Sequence, residues 1–162
     1  MNSGISAHDL VRFKEIEEIL GHEFSDKDLL ASALTRKAYA IERKHQGIEC
    51  EHQEALATLG DAILKAALTD LTYRLGLRTN EEITSRRIQL EREESLAQIA
   101  REKRIGDFMI LGRGEKKEGR EETPRVLAET LEAVIGAIYL DAGFRETREI
   151  IANWFGIPSP QS

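Results

Sequence analysis

The segment "RVLAETLEAVIGAIYLDAG", residues 125 to 143, constrains the fold more than any other part of this chain. Wound at the helical period it is apolar nearly all the way round, from about residue 126 to 140, which is the pattern of a helix buried inside a protein. A helix with no face for water needs other helices around it, and the rest of the sequence supplies them. Only three prolines occur, two of them near the C-terminus (Pro158 and Pro160), so long helical patterns run uninterrupted.

Those patterns carry clear punctuation. Apolar residues at helical spacing (Leu10, Phe13, Ile16, Ile19, Leu20) predict a first helix ending at Gly21. Ser25 is the expected cap of "DKDLLASAL", with Asp28 as its capping-box partner. After a polar connection, "RKHQG", the longest pattern runs from about residue 48 to 75 and closes at Gly76. Thr79 with Glu82 predicts a second capping box, opening "NEEITSRRIQLERE", and Ser95 is the expected start of "LAQIAREKR". "DFMILGRG" is apolar without a helical period, and the glycine-punctuated "GRGEKKEGREETP" reads as an exposed loop. Thr123-Pro124 then has the form of an N-cap followed by proline at the first helical position, and "RETREIIANWF" is a last amphipathic helix anchored by Trp154. The expectation is an all-α fold, with one domain over residues 1–157 and a flexible tail over 158–162.

Composition narrows the function classes. With 41% hydrophobic and 32% charged residues, the chain reads as a soluble globular protein, and no run approaches the ~18 apolar residues of a membrane span. The first residues lack a basic stretch followed by an apolar one, and the single cysteine, Cys50, forms no internal disulfide, so a reducing, cytoplasmic setting is expected. Cys50 reads as an inert thiol, and His22 and His45 as surface residues. A net charge of −6 argues against coating nucleic acid by bulk electrostatics, though not against holding it through a local basic patch and bound metal ions.

Two helical patterns carry acid where burial disfavours it. In "EALATLGDAILKA" a glycine, which costs roughly 1 kcal/mol in a helix interior, stands beside Asp61, and a lone buried carboxylate is expensive unless paired. Glu54 lies two turns before Asp61 on the same face; Glu129 and Glu132 are one turn apart in the apolar helix. If the two helices pack together, four carboxylates converge, and a hard divalent cation such as Mg²⁺ is the natural neutraliser. The ordinary alternative for Glu129 and Glu132 is salt bridging to arginines elsewhere, and for Glu54 a solvated helix position.

Several of these segments together resemble the catalytic domain of the ribonuclease III family. "EALATLGDAIL" (54–64) is similar to the family signature E-R-L-E-F-L-G-D-[AS]-[VIL]-L, and "LAETLEAVIGAIYLDAG" to its second hallmark. "LLASALTRKAY", "ESLAQIA" and "ILGRGEKKEGR" match further family segments, so the resemblance spans about residues 14 to 156. It implies an all-helical domain that homodimerises around a valley for double-stranded RNA. Each subunit would hydrolyse one strand with carboxylates and Mg²⁺ (Mn²⁺ as a substitute), leaving a 5′ phosphate and a 3′ hydroxyl, with no organic cofactor. Carried over by position, the metal ligands are Asp61, Glu129 and Glu132. Asp61 and Glu132 carry the chemistry, with Glu54 at the edge of the site, and Gly60 permits close helix approach.

Four positions depart from the family pattern. Its second acid falls at Ala57, the aromatic that plugs into the partner subunit at Thr58, the first acid of the second hallmark is Glu129 rather than aspartate, and the histidine of its "LTHxS" pattern is Arg36. The chain ends at "WFGIPSPQS", as in compact members without a double-stranded RNA-binding domain, so RNA would be gripped by the catalytic domain itself. Arg86, Arg87, Lys116, Lys117 and Arg120 are the candidate phosphate contacts. Ala57 and Thr58 also suit a second reading, a non-catalytic descendant that binds structured RNA or a protein. A third, a redox di-metal bundle, would use Glu49-x-x-His52.

Overall fold

The computed structural model describes residues 6–159. Ten α-helices account for most of them: α1 (Ala7–Leu20), α2 (Lys27–Leu34), α3 (Lys37–His45), α4 (Glu54–Arg74), α5 (Asn80–Leu90), α6 (Glu93–Glu102), α7 (Ile105–Phe108), α8 (Arg113–Lys117), α9 (Pro124–Ala142) and α10 (Phe144–Trp154), with a 3₁₀ turn at Arg120–Glu122. Among the described residues the only β pairing is a single parallel bridge between Thr35 and Ile110. No helix of these residues is long and apolar enough to cross a membrane.

The apolar helix is where its sequence demands. Eleven residues of α9 are buried, from Val126 to Ile138, and α4, α6, α2 and α10 pack around it. Each Leu, Ile or Val fully buried there contributes about 1.5–3 kcal/mol relative to exposure. At the far side Phe13, Ile16 and Leu20 of α1 close the core, and the Trp154 indole N–H donates to the Leu20 carbonyl at 3.0 Å. A buried carboxylate, Glu17, is fully engaged: it accepts from the Phe24 N–H at 2.6 Å and from Lys27 Nζ at 2.7 Å. Asp141 at the end of α9 accepts the N–H groups of Ser25 and Asp26, both at 3.0 Å, and pairs with His22 at 2.8 Å.

The core of the fold depends on one crossing. Gly60 of α4 and Gly136 of α9 face each other so closely that a Cβ on Gly60 would lie 1.7 Å from the Glu132 carbonyl oxygen, and one on Gly136 would lie 2.3 Å from the Leu56 carbonyl oxygen. These are backbone atoms, which cannot rotate aside. Gly60 is therefore the residue that lets two helix backbones touch, at the level where α4 carries Asp61 and α9 carries Glu132.

Several local expectations need correction. α4 begins at Glu54, not near residue 48, because the Gln53 N–H is taken by the Thr35 carbonyl (2.9 Å) rather than by a preceding helical turn. Glu49 and His52 consequently lie outside any helix, and the Glu-x-x-His spacing that a di-metal bundle needs is lost. The "RKHQG" stretch is the end of α3, a helix unforeseen from the sequence and closed by Gly47 at φ +77°. Asp26 rather than Ser25 caps α2, α6 starts at Glu93 ahead of Ser95, and Thr123 occupies its N-cap position without a side-chain capping bond. The supposed loop contains α8 and the 3₁₀ turn, and "DFMILGRG" provides the end of α7 and the bridge residue Ile110. His22 is mostly buried through its pairing with Asp141, whereas His45 is exposed. Of the supposed tail, Pro158 and Ser159 are exposed and 160–162 lie outside the described residues.

The crossing makes a specific expectation. Gly60→Ala should lower unfolding stability by about 3 kcal/mol or more, beyond ordinary overpacking, since the clash is with backbone. Gly114→Ala, whose Cβ meets nothing within 4 Å, should be neutral or stabilising by up to about 1 kcal/mol. Urea denaturation of the two variants beside the parent checks both.

Candidate functional site

The residues flanking the crossing open into a cleft. Its floor is built by Ala57 and Asp61 of α4 and by Glu129 and Glu132 of α9, while Arg36 and Glu54 stand at its sides. The Gly60–Gly136 contact sets the helix spacing, so Asp61 on one backbone is held near Glu132 on the other. Ala57 lines the cleft without contributing a polar atom, and Thr58 is exposed, its hydroxyl donating to the Glu54 carbonyl at 3.3 Å.

The four acids do not share one environment. Glu54 is exposed at the rim and pairs with Lys37 Nζ at 2.7 Å, which holds its carboxyl below the usual range. Glu129 has both oxygens on arginines: Oε2 accepts from Arg36 Nη1 at 3.0 Å and Oε1 from Arg125 Nε at 3.1 Å. The cleft's ion pairs leave Asp61 and Glu132 without one among the described residues. Glu132 is half-buried, and its carboxyl is pushed up to about 7, first by burial and then by the charges of Asp61, Glu129 and Glu91. All four acids line this one cleft, but among the described residues no three such side chains form a ready ligand set, and Glu54 and Glu129 are ion-paired.

Arg36 organises one wall. Its backbone N–H donates to the Ile110 carbonyl at 2.9 Å, beside the Thr35–Ile110 bridge, so the residue is pinned where the chain enters α3. From there the guanidinium forks onto Glu115 of α8 (2.9 and 3.3 Å) and reaches Gln53 Oε1 and Glu129 Oε2, both at 3.0 Å. Gln53 is buried and held in turn, donating to the Ala33 carbonyl at 3.0 Å and accepting from the Thr130 hydroxyl at 3.3 Å. Burial opposes the charge on Arg36, but the hydrogen bonds it donates to Glu115 and Glu129 outweigh it, and the guanidinium binds its proton more tightly than usual.

Sequence reasoning missed one further acid. Glu91, at the C-terminal end of α5, accepts at Oε2 from Arg87 Nη1 at 2.7 Å, while its Oε1 is buried with no hydrogen-bond partner among the described residues. Burial raises its carboxyl, and Asp61 opposes its ionisation as well. Nothing in "LERE" distinguishes Glu91 from a solvated helix end; its orphaned oxygen comes from the packing of α5 beside α4. Of the basic residues singled out from sequence, Arg87 is committed to Glu91 and Arg120 to Glu118 at 2.8 Å, and none of the five lines the cleft. Arg36 and Lys37 do line it.

The chemistry of this donor set suits a hard divalent ion. Two carboxylates without cationic partners among the described residues, one of them raised by burial and by its acidic neighbours, and a nearby buried carboxylate oxygen with no donor among those residues all favour added positive charge. An open set of few carboxylates fits Mg²⁺, which keeps several of its waters.

Comparison with known proteins agrees with this architecture. The family model described as Ribonuclease-III-like matches residues 26–156. Ribonuclease 3 of Oleidesulfovibrio alaskensis is 35% identical over 150 residues, covering 92% of this chain and 64% of that protein. Ribonuclease 3 of Haemophilus influenzae is 38% identical over 141 residues, covering 86% of this chain and 58% of that protein. The chain thus spans about three-fifths of the length of these relatives. A crystal structure of the ribonuclease III nuclease domain from Campylobacter jejuni superposes with a TM-score of 0.77 at 31% identity, covering 91% of this chain and 97% of that one. A second structure of that domain, described for flexibility in a region involved in dimer formation, gives 0.78 at 33% identity, covering 88% and 95%. An all-helical core built on the α4–α9 crossing, the ordered motifs and these likenesses together place the chain in the ribonuclease III-like family.

Proposed function

We propose that this chain is a divalent-metal-dependent endoribonuclease that hydrolyses phosphodiester bonds in double-stranded RNA, acting as a homodimer. The observation that carries the reading is the pair Asp61 and Glu132, without cationic partners among the described residues, beside a helix crossing in a member of this family. Asp61 and Glu132 would hold Mg²⁺, or Mn²⁺ in its place, with Glu129 joining once freed from its arginines. Bound there, the ion would activate a water and screen charge on the phosphate.

The chain's own groups have definable roles around that centre. Glu132 has to release its proton for its carboxylate to become a ligand. Glu54, kept ionised by Lys37 at the rim, is placed to orient a water or accept a hydrogen bond from a ribose 2′-hydroxyl. Lys37 at the cleft, with Arg86, Lys116 and Lys117 on the flanking helices, would contact phosphates and fix the register of the duplex. Arg87 and Arg120 would have to leave their carboxylates to do so. Two observations favour the second reading, a fold kept for binding alone: Ala57 offers no ligand, and Glu129 is already ion-paired.

Cleavage of a labelled RNA duplex in Mg²⁺, Mn²⁺ and EDTA separates the two. The expected result is metal-dependent cutting that falls in Glu132→Ala by more than the about 10–100-fold that loss of a supporting neighbour costs. Ala57→Glu should lower the metal concentration needed for half-maximal rate. Duplex binding without any cutting would overturn the nuclease reading.

The raised Glu132 carboxyl gives a pH expectation. Its folded value of about 7 exceeds the ordinary 4.5, so the native state binds the proton more tightly than the unfolded chain. That contribution to stability is present at acid pH and lost as pH rises through this window. Metal-free protein should therefore lose melting temperature from about pH 4.5 to 7, and Glu132→Gln should flatten the trend. Mn²⁺ affinity, competing with one proton, should rise up to about tenfold per pH unit below 7 and level off above it. Calorimetric titration across that range tests this.

A further inference from the structure

We propose that the Arg36 guanidinium is the resident counter-cation of this cleft: it positions Glu129 in place of part of the charge of a divalent ion, and an ion gains Glu129 as a ligand only by displacing it. The inference rests on the reading that the cleft takes a divalent cation.

The geometry makes Arg36 a fixture rather than a passing surface partner. Four hydrogen bonds engage its side chain, two to Glu115 and one each to Gln53 and Glu129. Only five N–H donors exist on a guanidinium, and their rigid fork suits a carboxylate on one edge and two acceptors on another. The side chain is 16% exposed, whereas the second partner of Glu129, Arg125, is 77% exposed. A screened pair of the Arg125 kind holds a carboxylate weakly; the Nη1 bond to Glu129 is single, but it comes from a desolvated guanidinium already fixed by its fork on Glu115, and so holds Glu129 better. The anchor is also rigid from behind, since Gln53 is locked by Ala33 and Thr130 and the Arg36 backbone by Ile110.

Charge accounting gives the same result. Arg36 faces Glu115 and Glu129, and Glu132 lies within the electrostatic reach of Glu129. Remove the guanidinium and Glu129 gains the freedom, and the electrostatic need, to take a metal ion. Lysine cannot substitute, because a single ammonium is a point donor and cannot replace the planar fork across Glu115, Gln53 and Glu129. Arg36 is thus a positioning residue: in the metal-free cleft it keeps Glu129 ordered, and with metal present it restrains Glu129 from joining the ligand set.

The test is Mn²⁺ binding to the full chain, by calorimetry and by electron paramagnetic resonance of free Mn²⁺. It compares the parent with Arg36→Gln, Arg36→Lys, Glu129→Gln and the Arg36→Gln/Glu129→Gln pair. Arg36→Gln should bind Mn²⁺ about tenfold or more tightly, the scale on which groups around metal ligands move affinity. Arg36→Lys should gain less in the same direction, and serves if the glutamine variant fails to fold. Glu129→Gln should weaken Mn²⁺ binding less than Asp61→Asn does while Arg36 is present, and should abolish the gain when Arg36 is absent. In EDTA, Arg36→Gln should melt below the parent and recover more of that loss on adding Mn²⁺ than the parent gains. Equal or weaker Mn²⁺ binding in folded Arg36 variants would overturn the inference. If the parent still binds Mn²⁺ and loses it in Asp61→Asn, the metal-site reading survives that failure. Absence of Mn²⁺ binding from every variant would overturn both.

Discussion

Two helix backbones in contact, at Gly60 and Gly136, set the geometry on which everything else depends. Side chains normally keep helix axes 8–10 Å apart, and the glycines remove that spacer on both partners. The closeness has two effects at once. It seals the core around α9, where burial supplies most of the stability, and it brings acids on two different helices to one level. A glycine that weakens α4 as an isolated helix therefore strengthens the fold, because the packing it permits exceeds the backbone entropy it costs.

Around that crossing the molecule distributes charge unevenly. Glu54, Glu129 and Glu115 each have a cation at hydrogen-bond distance, while among the described residues Asp61 and Glu132 have none. An apolar scaffold tolerates this only where protonation or added cations can relieve it, and the raised carboxyl of Glu132 is the first of those remedies. The arginine wall supplies a second, local to Glu129. Ala57, which adds no charge to the cleft, and the Arg36 guanidinium belong to one arrangement, in which Glu129 is neutralised from within.

How much of this was legible in the sequence depends on how local each cause is. The buried character of α9 could be read because it lies in consecutive residues, and the Thr79–Glu82 box because its partners are three residues apart, where the structure also has it. The fold class and Gly60's role followed from pattern and family likeness. For Glu129 the alternative of salt bridging to arginines was on offer, and Arg125 lies one turn away, but the choice of Arg36 as partner could not be read: it is 93 residues away in sequence and itself held by Glu115 and Gln53 at separations of 79 and 17. The buried orphan oxygen of Glu91 was equally hidden, because it arises from how α5 lies on its neighbours. The start of α4 was misplaced for the same reason: a carbonyl from Thr35, not local propensity, ends the preceding extended segment.

The Gly60–Gly136 contact also has a consequence for the order of events during synthesis. α4 is complete while α9 is still unmade, yet neither the spacing of Asp61 and Glu132 nor the arginine hold on Glu129 exists until α9 docks. A contact between such distant parts of the chain closes late. On the ribosome the emerging polypeptide therefore carries its acids apart, with α4 presenting a bare glycine notch. The cleft comes into being only once α9 has been translated and docked.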